Sequence, residues 1–199
     1  MRDILVLYYS RNGATEALAR EICNGVDSVD EAAARLRTVP QVSPVGEASS
    51  AAVPASGPPY VTNDDLLDCD GLLLGSPTRF GNMAAPLKYF LDGTGSEWLS
   101  GKLAGKPAGL FTSTSSLHGG QETTLISMAM PLLHHGMLIV GIPYTDAELS
   151  TTTTGGSPYG ASHVTWNRKG DSLSQDEIRL ARKLGARVAR IARQLAATR

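Results

Sequence analysis

The sequence Ile4-Leu-Val-Leu-Tyr-Tyr9 continues into Ser10-Arg-Asn-Gly-Ala-Thr15 and then into Glu16-Ala-Leu-Ala19. The first part is an unbroken apolar run rich in β-forming residues, which predicts a strand buried on both faces. From Ala14 to Val26, apolar residues recur with the period of a helix. The stretch therefore predicts a strand that turns directly into a helix.

The turn between this strand and helix consists of small and hydroxyl-bearing residues around Gly13, which accepts backbone conformations that other residues resist. Unpaired N–H groups and the positive end of the dipole make the start of a helix a site for an anion, most often a phosphate. The predicted phosphate-binding residues are Ser10, Arg11, Asn12, Gly13, Ala14 and Thr15. The turn lacks the nucleoside-triphosphate loop pattern and the dinucleotide fingerprint. An ordinary βα turn with a polar N-cap is the alternative.

The composition is typical of a globular protein, and the net charge predicts no strongly charged partner. The chain has 199 residues, of which 42% are hydrophobic and 19% charged, and we expect a single domain over residues 1–199. A net charge of −1 gives no general attraction to nucleic acid or to an anionic membrane. The sequence shows neither a signal-peptide pattern nor a run long enough to span a bilayer, so we expect a cytoplasmic protein.

The cysteines and histidines do not suggest a metal centre. Cys23 and Cys69 lack metal-ligand spacing and are expected to be buried small hydrophobes, and an iron–sulfur flavoprotein is excluded because no cysteine cluster is present. The histidines and carboxylates also miss the spacings of a metal site. His163 is expected to be an incidental loop residue, and Trp166 a packing or surface residue.

Strands and helices alternate along the chain. Beyond the first strand and helix, strands are predicted at 31–39, 71–76, 108–112 and 137–142, and helices after the Thr62–Asp65 capping box and at 86–91, 124–135 and 174–197. Residues 40–60 and 145–164 are predicted to be loops. This order predicts an α/β fold with a doubly wound, five-stranded parallel sheet and helices on both faces. The basic face of the last helix is interpreted as solvated.

Three loops of unusual composition follow the first, third and fourth predicted strands. Ligands of such sheets bind beyond the carboxyl ends of the strands, so Ser10–Thr15, Pro77–Met83 and Ser113–Gln121 should face one another. In the second loop, Arg79 can donate to a ring carbonyl and Phe80 offers a flat apolar surface. A rigid turn with Phe80 in the core, and a plain flexible third loop, are the alternatives. Together the loops predict a mononucleotide with a broad planar ring, that is, flavin mononucleotide (FMN).

Several motifs resemble the WrbA family of NAD(P)H:quinone oxidoreductases across essentially the whole chain. They are Ser10-Arg-Asn-Gly-Ala-Thr15, Gly75-Ser-Pro-Thr-Arg-Phe-Gly-Asn-Met83, His118-Gly-Gly-Gln-Glu122, His134-His-Gly-Met137 and Gly155-Gly-Ser-Pro-Tyr-Gly-Ala161. The resemblance implies a flavodoxin-like fold, a homotetramer, and ping-pong, two-electron reduction of quinones by NADH or NADPH through bound FMN.

The resemblance also implies roles for individual residues. The phosphate would lie on Ser10–Thr15, and His134 would contact the flavin from a neighbouring subunit or the facing loop. His118 and His134 are the candidates for a catalytic histidine, and Trp98 would cover the site and touch the substrate. The ring and ribityl contacts would come from Pro77, Thr78, Arg79, Phe80, Ser113, Thr114, Ser115, Ser116, Leu117, His118 and Gly119.

Asn12 departs from the family pattern, because some members carry a tyrosine there that contacts nicotinamide or substrate. Of the pair His134 and His135, one is expected to be a helix C-terminal cap. Two rival functions stay open at the level of sequence. They are a flavodoxin that carries single electrons between protein partners, which the near-neutral charge disfavours, and a flavin-free binding module of the same fold.

Overall fold

The computed structural model describes residues 1–43, 53–165 and 172–197. Six strands lie in this part of the chain: β1 (Arg2–Tyr8), β2 (Ala32–Thr38), β3 (Gly71–Pro77), β4 (Pro107–Thr114), β5 (Leu138–Val140) and β6 (Ala161–Val164). The helices there are α1 (Ala14–Asp27), α2 (Asn63–Asp68), α3 (Ala85–Asp92), α4 (Gly95–Ser100), α5 (Gln121–His134), α6 (Glu148–Thr151) and α7 (Gln175–Ala196).

All the strands pair in parallel, in the order β2-β1-β3-β4-β5. β3 and β4 are buried along their whole length, as expected of central strands with helices on both sides, whereas β2 at the edge is only half-buried. The predicted order of strands and helices and the flavodoxin-like arrangement are thereby confirmed.

The prediction of one fifth strand was incomplete, because two short strands share that position. β5 pairs with residues 107–109 of β4, and β6 pairs with residues 111–114 of the same strand. The predicted loop at 145–164 therefore holds both a helix, α6, and a strand, β6. Ala-Ser-His-Val has a weak β pattern of its own, and pairing with the buried β4 stabilises it as a strand.

The helices cover both faces of the sheet with two apolar layers. Residues of α1 and α7 form one layer, and residues of α2, α3 and α5 form the other. The α1–α7 contact is close because Gly25 and Gly185 lie where the helices cross. A Cβ added at Gly185 would lie 2.2 Å from the carbonyl oxygen of Ile22, so any side chain there would push the helices apart.

Local sequence signals explain where several helices begin. Both predicted capping boxes are present: Thr62 caps α2 with Asp65, and Ser174 caps α7 with Glu177. The structure also contains α4, which follows Gly93 and was not predicted. The predicted loop at 40–60 is described only in part, and Trp166 lies outside the described residues. No helix in the described ranges is both long and apolar enough to cross a membrane.

Candidate functional site

The turn after β1 leaves the first backbone donors of α1 open to a ligand. Gly13, at the N-cap, has a φ of 91°, a left-handed conformation that favours glycine. Among the described residues no side chain caps this helix, and the Ser10 hydroxyl instead accepts a hydrogen bond from the Gly13 N–H at 3.1 Å. Backbone N–H groups and the positive end of the dipole of a 14-residue helix are therefore both available to a ligand at the start of α1.

The turn forms one wall of a cavity of about 310 Å³ at the carboxyl ends of the strands. The loops after β3 and β4 form the other walls, so the three predicted loops do converge. The lining residues are Ser10, Arg11, Asn12, Ala14, Thr15, Pro77, Thr78, Arg79, Ser113, Thr114, Ser115 and Thr165. Among the described residues, this lining contains two arginines, many hydroxyl groups and no carboxylate, which suits an anionic ligand.

Hydroxyl groups join the walls of the cavity beneath its surface. The hydroxyls of Thr15 and Ser113, both buried, lie 2.8 Å apart and connect the turn after β1 to the end of β4. The Thr78 N–H donates to the Ser113 carbonyl at 2.9 Å, and the Thr78 hydroxyl bonds to that of Thr124 on α5 at 2.8 Å. The loops are thus held in place by the core, as a preformed site requires.

Phe80 stands at the tip of a tight turn in the loop after β3. The backbones of Arg79 and Asn82 exchange hydrogen bonds of 2.7 and 3.0 Å, and both residues between them have positive φ: 53° at Phe80 and 76° at Gly81. The Phe80 side chain is fully exposed, so the alternative that places it in the core is wrong. A bulky residue in a left-handed conformation stores strain, and such strain clusters at functional sites.

The loop after β4 enters the cavity only with its first part. Ser113, Thr114 and Ser115 line the cavity, whereas the predicted contacts Ser116, Leu117, His118 and Gly119 do not. His118 is exposed to solvent. Thr165, which follows β6, lines the cavity and was not predicted, because β6 itself was not recognised.

His134 and Trp98 do not reach the cavity of their own chain. His134 is the last residue of α5, and α5 begins beside the cavity at Gln121, so about 20 Å of helix separates the two ends. Trp98 lies on α4 and is half-exposed. Neither residue lines the cavity. Their assignment to the flavin and substrate stays a prediction, and it requires a second subunit.

His135 ends α5, as one of the two histidines was expected to do. Its backbone N–H donates to the carbonyls of Leu133 and Pro131. Its buried side chain bonds to the Thr94 hydroxyl at 2.9 Å rather than to the helix carbonyls. Burial lowers the pKa of His135, against the opposing effect of Glu97.

His163 is not the loop residue that the sequence suggested. It lies on β6, fully buried, opposite the cavity residue Ser113 in the sheet, and its Nδ1 is 3.0 Å from Glu177 Oε2. Among the described residues its Nε2 has no hydrogen-bond partner. In the sequence, the capping box points to Glu177 but gives no sign of its partner. Nothing in the local sequence links Glu177 to His163, which lies 14 positions earlier.

Glu177 is a fully buried carboxylate that accepts four hydrogen bonds. Oε1 accepts from the N–H groups of Gly155 (2.9 Å) and Val164 (3.1 Å), and Oε2 from the N–H of Ser174 (2.7 Å) and from His163. Burial alone would raise the pKa of Glu177, but the bonds from His163, Ser174 and Val164 outweigh it and lower the pKa to about 2. The pair thereby fixes β6, and with it the Thr165 wall of the cavity.

The cysteines are structural, as predicted. Cys69 is buried, and Cys23 is partly buried against the α1–α7 layer. Burial raises the pKa of Cys69 to about 11 and that of Cys23 to about 12, so both thiols stay protonated near neutrality. Within the described ranges, no three His, Cys, Asp or Glu side chains are grouped so that they could hold a metal ion.

Comparison with known proteins identifies the family. A profile of the family described as NADPH-dependent FMN reductase matches residues 3–147. Proteins named NAD(P)H dehydrogenase (quinone) from Solidesulfovibrio magneticus and Trichlorobacter lovleyi are 42% and 43% identical to the chain. These alignments cover 98% and 99% of it and the whole of each relative.

The solved structures agree. A flavodoxin-type, WrbA-like protein from Agrobacterium tumefaciens superposes with a TM-score of 0.69 at 25% identity, with 98% of this chain and 99% of that chain covered. A flavodoxin from the domain Archaea has a TM-score of 0.63 at 18% identity, with 96% and 99% covered, and so supports the fold alone. The chain therefore belongs to the NADPH-dependent FMN reductase family, and within it to the WrbA-like, flavodoxin-fold NAD(P)H dehydrogenases (quinone).

Proposed function

We propose that this protein is an FMN-dependent NAD(P)H:quinone oxidoreductase that works by a ping-pong, two-electron mechanism. The observation that carries the proposal is the cavity that three loops form at the start of α1, where the part of the lining that the structure describes holds two arginines and no carboxylate. The names of the full-length relatives, NAD(P)H dehydrogenase (quinone), support the same reaction.

The residues present fit FMN. The open N–H groups of α1, with the hydroxyls of Ser10 and Thr15, are suited to a phosphomonoester, and the dipole of a long helix adds to their attraction. The segment from Pro77 to Phe80 and the residues from Ser113 to Ser115 would hold the ribityl chain and the ring. Bound FMN would supply the redox chemistry, accepting hydride from the nicotinamide and delivering two electrons to the quinone.

The chain's own residues would position the reactants and control charge. Arg79 Nη1 donates to the Thr78 carbonyl at 2.7 Å, which directs its positive charge to the cavity wall, where it would stabilise negative charge on a bound ring. The exposed Phe80 ring offers an apolar surface to a flat substrate, and Asn12 at the cavity mouth would contact the substrate. His118 or His134 would donate the proton that the quinone oxygen takes up when the quinol forms.

We also propose that the working form is a homotetramer, as the family resemblance implies, and an apolar stripe exposed on α5 supports association between subunits. Ile126, Met130 and Leu133 occupy one face of this helix and are 44–50% exposed, an arrangement typical of a protein interface. His134 adjoins the stripe in sequence, and the exposed Leu99 adjoins Trp98. Association through these surfaces would bring the two residues of one subunit to the cavity of another.

Rapid mixing of the FMN-loaded protein tests the reaction directly. Mixing without oxygen should bleach the flavin absorbance with NADPH or NADH, and p-benzoquinone should restore it within one turnover. Double-reciprocal plots of the steady-state rate against the nicotinamide concentration, measured at several quinone concentrations, should be parallel, as ping-pong kinetics require. Bound flavin that neither nicotinamide reduces would contradict the enzyme proposal and favour an electron carrier, and a protein that takes up no FMN would favour a binding module.

Variants test the assignment of the site and of the assembly. Thr15→Val should weaken FMN binding by about tenfold, since a hydrogen bond to a charged group is lost, while Thr151→Ala, exposed on α6, serves as the control. Ile126→Lys with Met130→Lys should convert a tetramer into smaller species in sedimentation velocity. A wild-type monomer at all concentrations would rule out the assembly and leave His134 and Trp98 without a role at the flavin.

A further inference from the structure

The buried pair of His163 and Glu177 leaves one ring nitrogen unused. His163 Nδ1 lies 3.0 Å from Glu177 Oε2, and both side chains are fully buried. Burial would raise the pKa of Glu177, but its hydrogen bonds lower it to about 2, so near neutrality the group is a carboxylate and Nδ1 carries the proton. Among the described residues, His163 Nε2 has no hydrogen-bond partner. The fixing of β6 by this pair does not explain that buried polar atom.

The backbone hydrogen bonds of β6 show which way the ring faces. Successive N–H groups of a strand point to opposite edges. The Thr165 N–H donates to the Thr114 carbonyl on β4 at 2.9 Å, whereas the Val164 N–H donates to Glu177 Oε1 at 3.1 Å. Glu177 therefore lies at the outer edge of β6, away from β4. Because Nδ1 is turned outward to this carboxylate, Nε2, on the other side of the ring, is directed back toward β4.

The residue opposite His163 on β4 is Ser113. Paired residues of neighbouring strands present their side chains to the same face, and the strands lie about 5 Å apart. Both residues are buried, and the Ser113 hydroxyl lies 2.8 Å from that of Thr15 at the start of α1. His163 and Ser113 thus stand between the outer carboxylate and the Thr15 hydroxyl, at the wall of the candidate flavin cavity.

The protonation state of the ring decides in which direction these hydroxyls can donate. If Nε2 is unprotonated, it accepts from Ser113, Ser113 accepts from Thr15, and Thr15 has no hydrogen left for an anion. If Nε2 is protonated, it donates to Ser113, Ser113 donates to Thr15, and Thr15 can donate to a phosphate. The second arrangement has the same polarity as the open N–H groups of α1, so it is the one that suits an anion.

Within the part of the chain that the structure describes, Glu177 is the one charged group in hydrogen-bonding contact with the ring. β4 contains no titratable residue. On α1, Glu16 pairs with Arg20 at 2.6 Å, and on α7, Asp176 pairs with Arg179 at 3.8 Å. An imidazolium at this position therefore has a single carboxylate as its counter-ion on one side. A phosphate at the start of α1 would add a second anion on the other side.

We propose that His163 is a positioning residue for the phosphate of FMN: in the flavin-bound protein both ring nitrogens carry a proton, and Nε2–H donates to the Ser113 hydroxyl. Ser113 then donates to Thr15, and Thr15 donates to the phosphate. The second ring proton comes from solvent, and no bond of the flavin is made or broken. The inference rests on the proposed function and adds to it a residue outside the cavity lining that controls how tightly the phosphate is held.

¹⁵N NMR of the full-length, FMN-loaded protein tests the protonation state without a variant of the site. At pH 7, both ring nitrogens of His163 should have the chemical shifts of an imidazolium. The chain has four histidines, and replacing each of the other three in turn assigns the His163 signals even if a variant at position 163 does not fold. An unprotonated Nε2 in the FMN-loaded protein would overturn the inference.

Riboflavin, which lacks the phosphate, is the matched ligand for a variant test. In His163→Asn the amide nitrogen takes the place of Nδ1 and keeps the bond to Glu177, but nothing replaces Nε2. The dissociation constant of FMN, measured by flavin fluorescence on dilution of the loaded protein, should rise about tenfold, since a charge-assisted contact is lost. That of riboflavin should not change. An equal rise for both flavins, or no change for either, would overturn the inference.

Ser113→Ala tests whether His163 acts through the hydroxyl. In that background His163→Asn should leave the ratio of FMN to riboflavin affinity unchanged, because the chain of hydrogen bonds is already broken. A further tenfold loss would overturn the role assigned to Ser113.

The wild type separates this inference from the proposed function. Bound FMN that neither nicotinamide reduces would refute the enzyme proposal and leave the affinity ratios to decide the role of His163. A wild type that binds no FMN would refute both.

Discussion

Replacing Glu177 by glutamine should destabilise this protein far more than an ordinary charge removal. The carboxylate is fully buried, and each of its oxygens accepts two hydrogen bonds. Glutamine has one oxygen and one NH₂ group, so its nitrogen would face two N–H donors that then lose their acceptor. Each buried donor left unpaired costs about 1–3 kcal/mol, so we expect a loss of about 4 kcal/mol in the free energy of unfolding.

Urea denaturation at pH 7, followed by circular dichroism, measures this loss. Glu148→Gln is the matched control, because Glu148 pairs with Lys183 near the surface and Lys183 keeps a second partner in Asp146. Surface pairs contribute about 0–1 kcal/mol, so the control should change little. If Glu177→Gln lay within about 1 kcal/mol of the control, the four hydrogen bonds would not carry the role that we assign to them.

The pH dependence of the unfolding free energy tests the same assignment of Glu177. The pKa of Glu177 is lowered from 4.5 to about 2 in the folded protein, so this group contributes stability that is fully present above pH 4.5 and is lost as the pH falls toward 2. The difference in unfolding free energy between wild type and Glu177→Gln should therefore shrink progressively below pH 4.5. A difference that stayed constant from pH 7 to pH 3.5 would contradict the ionised, hydrogen-bonded state of Glu177.

Three further substitutions test other parts of the structure. Gly185→Ala should lower the unfolding free energy by about 1–3 kcal/mol in urea, because its Cβ would collide with the Ile22 carbonyl; Gly95→Ala, where a Cβ meets nothing within 4 Å, should not. Phe80→Gly should raise the stability of the FMN-free protein by about 1 kcal/mol by relieving the positive φ, while quinone turnover falls; a loss of stability would mean that Phe80 packs rather than serves the site. Ser174→Ala should lower the thermal midpoint, since a lost N-cap costs about 1 kcal/mol, and an unchanged midpoint would show that Glu177 alone secures the start of α7.

Sequence reasoning succeeded where the signal is local. The apolar runs of β1 and β3 are long enough to stand out. The capping boxes at Thr62 and Ser174 are four-residue patterns, and each marks the start of a helix. The convergence of the three loops followed from the same reasoning, because parallel strands place their carboxyl ends at one edge. The turn at Ser10–Thr15 needed only the strand before it and the helix after it.

The failures concern contacts between distant parts of the chain. β6 has four residues with a weak β pattern, and it exists because β4 pairs with it and because Glu177 binds the backbone of Val164 and the ring of His163. Without β6, neither the burial of His163 nor the position of Thr165 was predictable. Trp98 and His134 do not line the cavity of their own chain, and their assignment to the substrate and the flavin stays a prediction.

The hydrogen bonds around the cavity divide into two groups, and this division explains how the site can be both rigid and open. Side-chain hydroxyls form the bonds that hold the loops together, as between Thr15 and Ser113 and between Thr78 and Thr124. The backbone N–H groups at the start of α1 take no side-chain cap from the described residues. A phosphate can therefore bind to α1 without breaking the contacts that position the loops. The Thr15 hydroxyl can join both groups without conflict, because it can accept a hydrogen bond from Ser113 while it donates one to a phosphate. A preformed cavity is therefore possible before the flavin arrives.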